Sequence, residues 1–179
     1  MAEYKKDPKK NTIAALVSNK SGVLTRISGL FARRGYNIES LTVCATEDPE
    51  LSRMTIDLIG DEYTLYQMIK QMDKLDDVKK IGCADELDCV YRELLLVKVP
   101  ATADVRSQIV EIKEIYKAKV VDLSVDTMIL ELTGIPTKLD AFLKVIEPFG
   151  IIEMQRTGVT VLARGRHTLK DRDCYGDNI

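Results

Sequence analysis

The chain has a single histidine, His167, no C-x-x-C pair, and no G-x-S-x-G, H-E-x-x-H, P-loop or G-x-G-x-x-G motif. Each absence removes a class of chemistry. A zinc site needs about four converging ligands, and Cys44, Cys83, Cys89 and Cys174 are scattered, with Cys83 and Cys89 separated by five residues. They read as reduced thiols of a cytosolic-type protein, because a chain of 179 residues can bury a core without a disulfide framework. His167 lies in a polar stretch with no nucleophile motif beside it. The carboxylates are spread over helix surfaces and turns. No catalytic residue and no metal ligand is therefore expected.

Other absences concern partners. No apolar run approaches the ~20 residues that span a bilayer. The opening MAEYKKDPKKN lacks the apolar core of a secretory signal, so a cytoplasmic protein is expected. Formal net charge is only -2, without a basic stripe or a helix-turn-helix pattern, which argues against nucleic acid and anionic membranes.

What is present is an ordinary globular balance, 45% hydrophobic and 30% charged residues, and one structural plan written twice. Thr12–Ser18 reads as a strand, Gly22–Arg33 as a helix and Tyr36–Thr46 as a strand. Met54, Ile56 and Leu58 alternate with Arg53, Thr55 and Asp57 in a third strand. Leu65, Met68, Ile69, Met72 and Leu75 mark a second helix, and Val78–Cys83 a fourth strand. After an acidic joint at Asp85–Asp88 the order repeats. Glu93–Val99 is a strand, and Val105, Ile109, Ile112 and Tyr116 form a helix face. Val120–Val125 and Thr127–Thr133 form a hairpin. Thr137 and Asp140 suggest a capping box, with Leu139, Phe142, Leu143 and Ile146 as the face of the helix that follows. Ile151–Met154 and Val159–Ala163 supply the last strand, with a break at Thr157-Gly158. The expected divisions are a flexible tail over 1–11, a module over 12–84, a linker over 85–91, a module over 92–165 and a flexible tail over 166–179.

The densest local signal is Asn19-Lys20-Ser21-Gly22-Val23-Leu24, joining strand to helix, followed by Gly35-Tyr36-Asn37-Ile38. Asn19 and Ser21 are good helix caps. Gly22 lets a ligand or a second chain approach the backbone, and the first N–H groups of the helix suit a small carboxylate. Asn37 offers both a donor and an acceptor, and Ile38 offers apolar contact. Taken alone, Gly22 and Asn37 serve equally well as plain turn residues.

The run NKSGVLTRISGLFARRGYNIESLTV, with LSRMTI, RELLLVKV and KLDAFL, resembles the small regulatory subunits of acetohydroxyacid synthase (acetolactate synthase) from about Thr12 to Gly165. The resemblance implies an α+β chain of two ferredoxin-like βαββαβ modules, an N-terminal ACT domain and a C-terminal ACT-like one. It implies a non-catalytic subunit that activates the catalytic subunit and confers feedback inhibition by valine or another branched-chain amino acid. The effector would bind between two ACT domains, at Asn19, Ser21, Gly22, Val23, Leu24, Asn37 and Ile38, with Ser21 mainly a cap. Thiamine diphosphate, Mg2+ and FAD would belong to the catalytic subunit, none to this chain. Small modules with an uncovered sheet face also favour a homodimer. The rival expectation is a stand-alone amino-acid-responsive regulator, for instance of transcription.

Overall fold

The computed structural model describes residues 10–84 and 89–171. The expected N-terminal tail up to residue 9, the acidic joint at 85–88, and residues 172–179 with Cys174 lie outside them. The chain divides into two compact units, Met1–Val90 together with Val159–Ile179, and Tyr91–Gly158.

The first unit runs β1 (Lys10–Ser18), α1 (Val23–Arg33), β2 (Ile38–Ala45), β3 (Leu51–Ile59), α2 (Glu62–Met72) and β4 (Val78–Cys83). Its antiparallel sheet has the order β2-β3-β1-β4, so β2 and β4 are edges. Ile13, Ala15 and Val17 of β1 and Met54, Ile56 and Leu58 of β3 face the helices. This is the side-chain alternation expected of strands. Val23, Ile27, Leu30 and Phe31 form the buried stripe of α1, at the spacing one helix face requires. The helix ends at Gly35, whose φ of +71° is the left-handed conformation that favours glycine. The amide N–H groups of Gly35 and Tyr36 return to the carbonyls of Ala32 and Phe31, each at 3.1 Å.

The other face of this sheet is also covered in part. Thr55 and Asp57 are buried. Ala14 and Leu16 pack against Leu169, which lies in a 3-10 turn over Leu169–Asp171. Residues 169–171, expected within a flexible tail, form this turn and bury Leu169.

At the start of α2, Asp61 Oδ1 accepts the Thr64 amide N–H at 2.8 Å. Hydrogen bonding to Thr64 holds the Asp61 carboxyl below its usual pKa. A depressed folded-state pKa means a stabilisation in full force above the ordinary carboxylate range, lost as pH falls through it. Asp61→Ala is expected to speed amide hydrogen exchange in the first turn of α2 at neutral pH. The difference from wild type should vanish in acid.

The second unit runs β5 (Cys89–Pro100), α3 (Arg106–Tyr116), β6 (Lys119–Leu123), β7 (Thr127–Gly134), α4 (Pro136–Ile146) and β8 (Glu153–Arg156). Its sheet order, β6-β7-β5-β8, repeats the first. Leu95, Val97 and Val99 pack with Met128, Leu130 and Leu132 beneath Ile109, Leu139, Phe142 and Ile146. Tyr116 meets Phe142 edge to face at 5.2 Å, a favoured aromatic geometry. The expected last strand forms in two pieces on either side of the expected break, β8 and β9 (Thr160–Ala163), and both pair with β5. The expected capping box is absent. Ile135 is the N-cap of α4, without a side-chain cap bond, and Pro136 occupies the first turn. Proline suits that position because its missing N–H would have no partner there anyway. Asp140 is engaged elsewhere, by Arg156.

Candidate functional site

The link between β1 and α1 is built as a backbone cradle. Gly22 is the N-cap of α1 with φ +82°, and no side chain caps the helix. The caps expected from Asn19 and Ser21 are therefore not formed. Asn19 has a different task. Its Nδ2 donates to the Pro49 carbonyl at 2.9 Å, and its Oδ1 accepts from Ser52 Oγ at 3.1 Å. Its own amide N–H reaches the Glu50 carbonyl at 2.8 Å. Asn19 thus ties the β2–β3 turn to the end of β1 and fixes where the cradle begins. Ser21 is exposed. Val23 is buried in the core and its amide N–H donates to the Lys20 carbonyl at 3.5 Å, while Leu24 is 45% exposed.

One residue of this region was missed from sequence. Arg26 stands one helical turn beyond Gly22 and donates from Nε to Asp77 Oδ2 at 2.7 Å, with Nη2 at 2.6 Å from the same oxygen. A Cβ built on Gly22 would stand 3.3 Å from Arg26 Nη1. An open groove runs from Gly22 past Thr25, Arg26 and Gly29 to Arg33, floored in part by Leu75. Backbone N–H groups without a side-chain cap, beside a guanidinium, form a setting for a small carboxylate. The signal available in the sequence was the i, i+4 spacing of Gly22 and Arg26.

The other half of the expected site lies elsewhere. Asn37 is exposed just before β2 and donates from Nδ2 to Glu39 Oε1 at 3.2 Å. Ile38 is half-buried against the first core. Ile38 pairs with Leu58 of β3, and Leu58 pairs with Asn11, near the start of β1. Asn19 follows Ser18, at the opposite end of β1, where Ser18 pairs with Leu51. Seven residue steps at ~3.3 Å each separate those ends by roughly 23 Å. A single chain brings Asn19, Ser21, Gly22, Val23 and Leu24 together. It does not bring Asn37 and Ile38 to them.

Two other charged groups are structural. Arg53 of β3 donates from Nη2 to the Val161 carbonyl at 2.7 Å, and burial is the main influence lowering its pKa. Arg156 clamps the buried Glu93 at both carboxylate oxygens, 2.9 and 2.6 Å away. These bonds are the largest cause raising its pKa. Among the described residues, no group of three or more His, Cys, Asp or Glu could hold a metal ion, and no helix is long and apolar enough to cross a membrane.

Comparison with known proteins places these observations in a family. Residues 92–165 match the family model described as small subunit of acetolactate synthase. Residues 13–80 match the one described as AHAS small subunit-like ACT domain. The acetolactate synthase small subunit of Mycolicibacterium smegmatis is 48% identical over 155 residues, 87% of this chain and 91% of that one. A probable acetolactate synthase small subunit of Archaeoglobus fulgidus is 48% identical over 156 residues, 87% of this chain and 98% of that one. The crystal structure of the small subunit from Thermotoga maritima superposes with a TM-score of 0.81 at 37% identity, covering 89% of this chain and 99% of that one.

Proposed function

The chain belongs to the family of acetolactate synthase small subunits, and from that premise we propose that it activates a catalytic subunit and makes it sensitive to a branched-chain amino acid, valine or a close analogue. The condensation of pyruvate with a second 2-oxo acid is assigned to the catalytic subunit. Thiamine diphosphate, Mg2+ and FAD belong there, and this chain contributes no group to the reaction. Its work is done in the cytoplasm.

One observation carries the effector reading: the two halves of the expected site sit at opposite ends of β1. Ile38 pairs across to Leu58 and Asn11, whereas Gly22 follows the far end beyond Ser18. A site using both halves is complete only when a second copy supplies one of them. Strand β2, which opens with Ile38, is an edge of the sheet, and its Val43 is 42% exposed. An edge strand carries unpaired backbone groups that another copy can satisfy, so a homodimer joined along β2 and α1 fits the arrangement. The cradle at Gly22 and the Arg26 guanidinium would receive the effector carboxylate. Asn37 of the partner copy would receive its ammonium group, and apolar contact from Leu24 and Ile38 would favour an aliphatic side chain. Effector binding then bears directly on how two copies pack, which is a physical route to coupling. Typical coupling free energies are ~1–3 kcal/mol, enough for control from several-fold to about a hundred-fold.

The test is acetolactate formation by the catalytic subunit, with and without this chain, across a valine titration. Several-fold activation without valine and progressive loss of activity as valine rises are the expected result. Activation that neither valine, leucine nor isoleucine diminishes would keep the partner and overturn the effector. No effect on the cognate catalytic subunit would favour a stand-alone regulator.

A further inference from the structure

Asp57 is fully buried on the sheet face opposite the helices, a place where a carboxylate is costly. Strand register explains how it is accommodated. Ser40 of β2, Asp57 of β3 and Thr12 of β1 stand directly opposite one another in a row across three strands. Thr12 Oγ1 donates to Asp57 Oδ1 at 2.7 Å, and Ser40 Oγ donates to Oδ2 at 2.7 Å. Lys10 Nζ lies 3.3 Å from Oδ2. Apolar side chains in the same row would hold the strands together without burying a charge, so this cluster calls for a reason beyond stability.

Strand β2 supplies one. Its pairing with β3 shifts register between Ile38 and Ser40, leaving Glu39 as an extra residue. A bulge of this kind bends a strand and re-aims the side chains beside it. Ser40 is the first residue past the bulge, and the Asp57 carboxylate holds its hydroxyl. On the near side, Ile38 is held by the core. Asn37 therefore leaves the sheet in a direction set by anchors on both sides of the irregularity.

We propose that the buried Asp57–Ser40 hydrogen bond is a positioning device for the effector site, fixing the bulge that aims Asn37 and Ile38 at the amino acid. This rests on the effector reading above. Asp57 and Ser40 act through Asn37 and touch no ligand.

The test uses an internal control. Ser40→Ala and Thr12→Ala each remove one hydroxyl donor from the same carboxylate, but only Ser40 belongs to β2. With valine as the probe and the full chain assembled with its catalytic subunit, Ser40→Ala is expected to raise the half-inhibiting concentration by about tenfold. That is the size of effect expected from losing a hydrogen bond to a charged group. Thr12→Ala is expected to change it by less than about twofold, although both variants lower the melting temperature alike. Asp57→Asn, close in shape, is expected to follow Ser40→Ala. Equal shifts for the two hydroxyl deletions would reduce the cluster to a structural role and overturn the proposal. So would unchanged inhibition in Ser40→Ala while Asn37→Ala weakens it. Unchanged inhibition in Asn37→Ala itself would overturn the site reading, and this proposal with it.

Discussion

Gly22→Asp abolishes feedback inhibition while leaving activation of the catalytic subunit intact: this is the expected result with the largest functional consequence. Gly22 adopts φ +82°. Aspartate is among the few residues that tolerate the left-handed region, so the turn survives with modest strain. The new Cβ would approach the Arg26 guanidinium, 3.3 Å away, and a flexible arginine tip can yield. The added carboxylate would then stand in the cradle, drawing Arg26 away from Asp77 and repelling a second anion. Losing charge-assisted contacts worth ~1.5–3 kcal/mol each, with like-charge repulsion added, predicts a rise of at least about a hundred-fold in the half-inhibiting valine concentration. The core stripe of α1, Val23, Ile27, Leu30 and Phe31, is untouched, so the fold should be retained. Wild-type valine sensitivity in this variant would remove the cradle from the effector site. Loss of activation together with inhibition would show instead that the same turn contacts the catalytic subunit.

The parts of this architecture that follow from local periodicity were legible in the sequence. Met54, Ile56 and Leu58 announced β3 by alternation, and Val23, Ile27, Leu30 and Phe31 announced α1 by helical spacing. Both sets form the first core. The interactions of the polar residues were not legible, because their partners are distant in sequence. Asn19 reads as a helix cap until the β2–β3 turn folds over and takes its amide. Asp140 reads as part of a capping box until Arg156, sixteen residues on, takes its carboxylate. Alternation alone puts Asp57 on the face opposite Met54, Ile56 and Leu58. That this second face is itself buried depends on strand register with Ser40 and Thr12, which alternation alone does not set. The site shows the same division. Gly22 and its neighbours are local and were found together, whereas the distance from them to Asn37 emerged only from the pairing of β1, β2 and β3.

The largest stability loss is expected from Arg156→Ala, in the second unit. Glu93 of β5 is only 6% exposed. Arg156 of β8 meets it with Nε at 2.9 Å and Nη2 at 2.6 Å, the bidentate geometry in which such pairs are strongest. Nη1 reaches Asp140 of α4 at 2.6 Å, so one guanidinium bolts an edge strand and a helix onto β5. Its removal would strand a buried carboxylate without a counter-charge, at about 3 kcal/mol or somewhat more. Urea unfolding of the full chain, with amide exchange read on β5 and β8, would register the loss in Tyr91–Gly158 before the first unit. Two further variants separate the causes. Asp140→Asn breaks the other arm of the same guanidinium, but the Asp140 side chain is 51% exposed, so its cost should stay within ~1 kcal/mol. Replacing Glu93 and Arg156 together by leucine removes the charge along with its partner and should recover most of the lost stability. If Asp140→Asn proved as costly as Arg156→Ala, or if the double replacement recovered nothing, the attachment of α4 rather than the buried pair with Glu93 would be what Arg156 supplies.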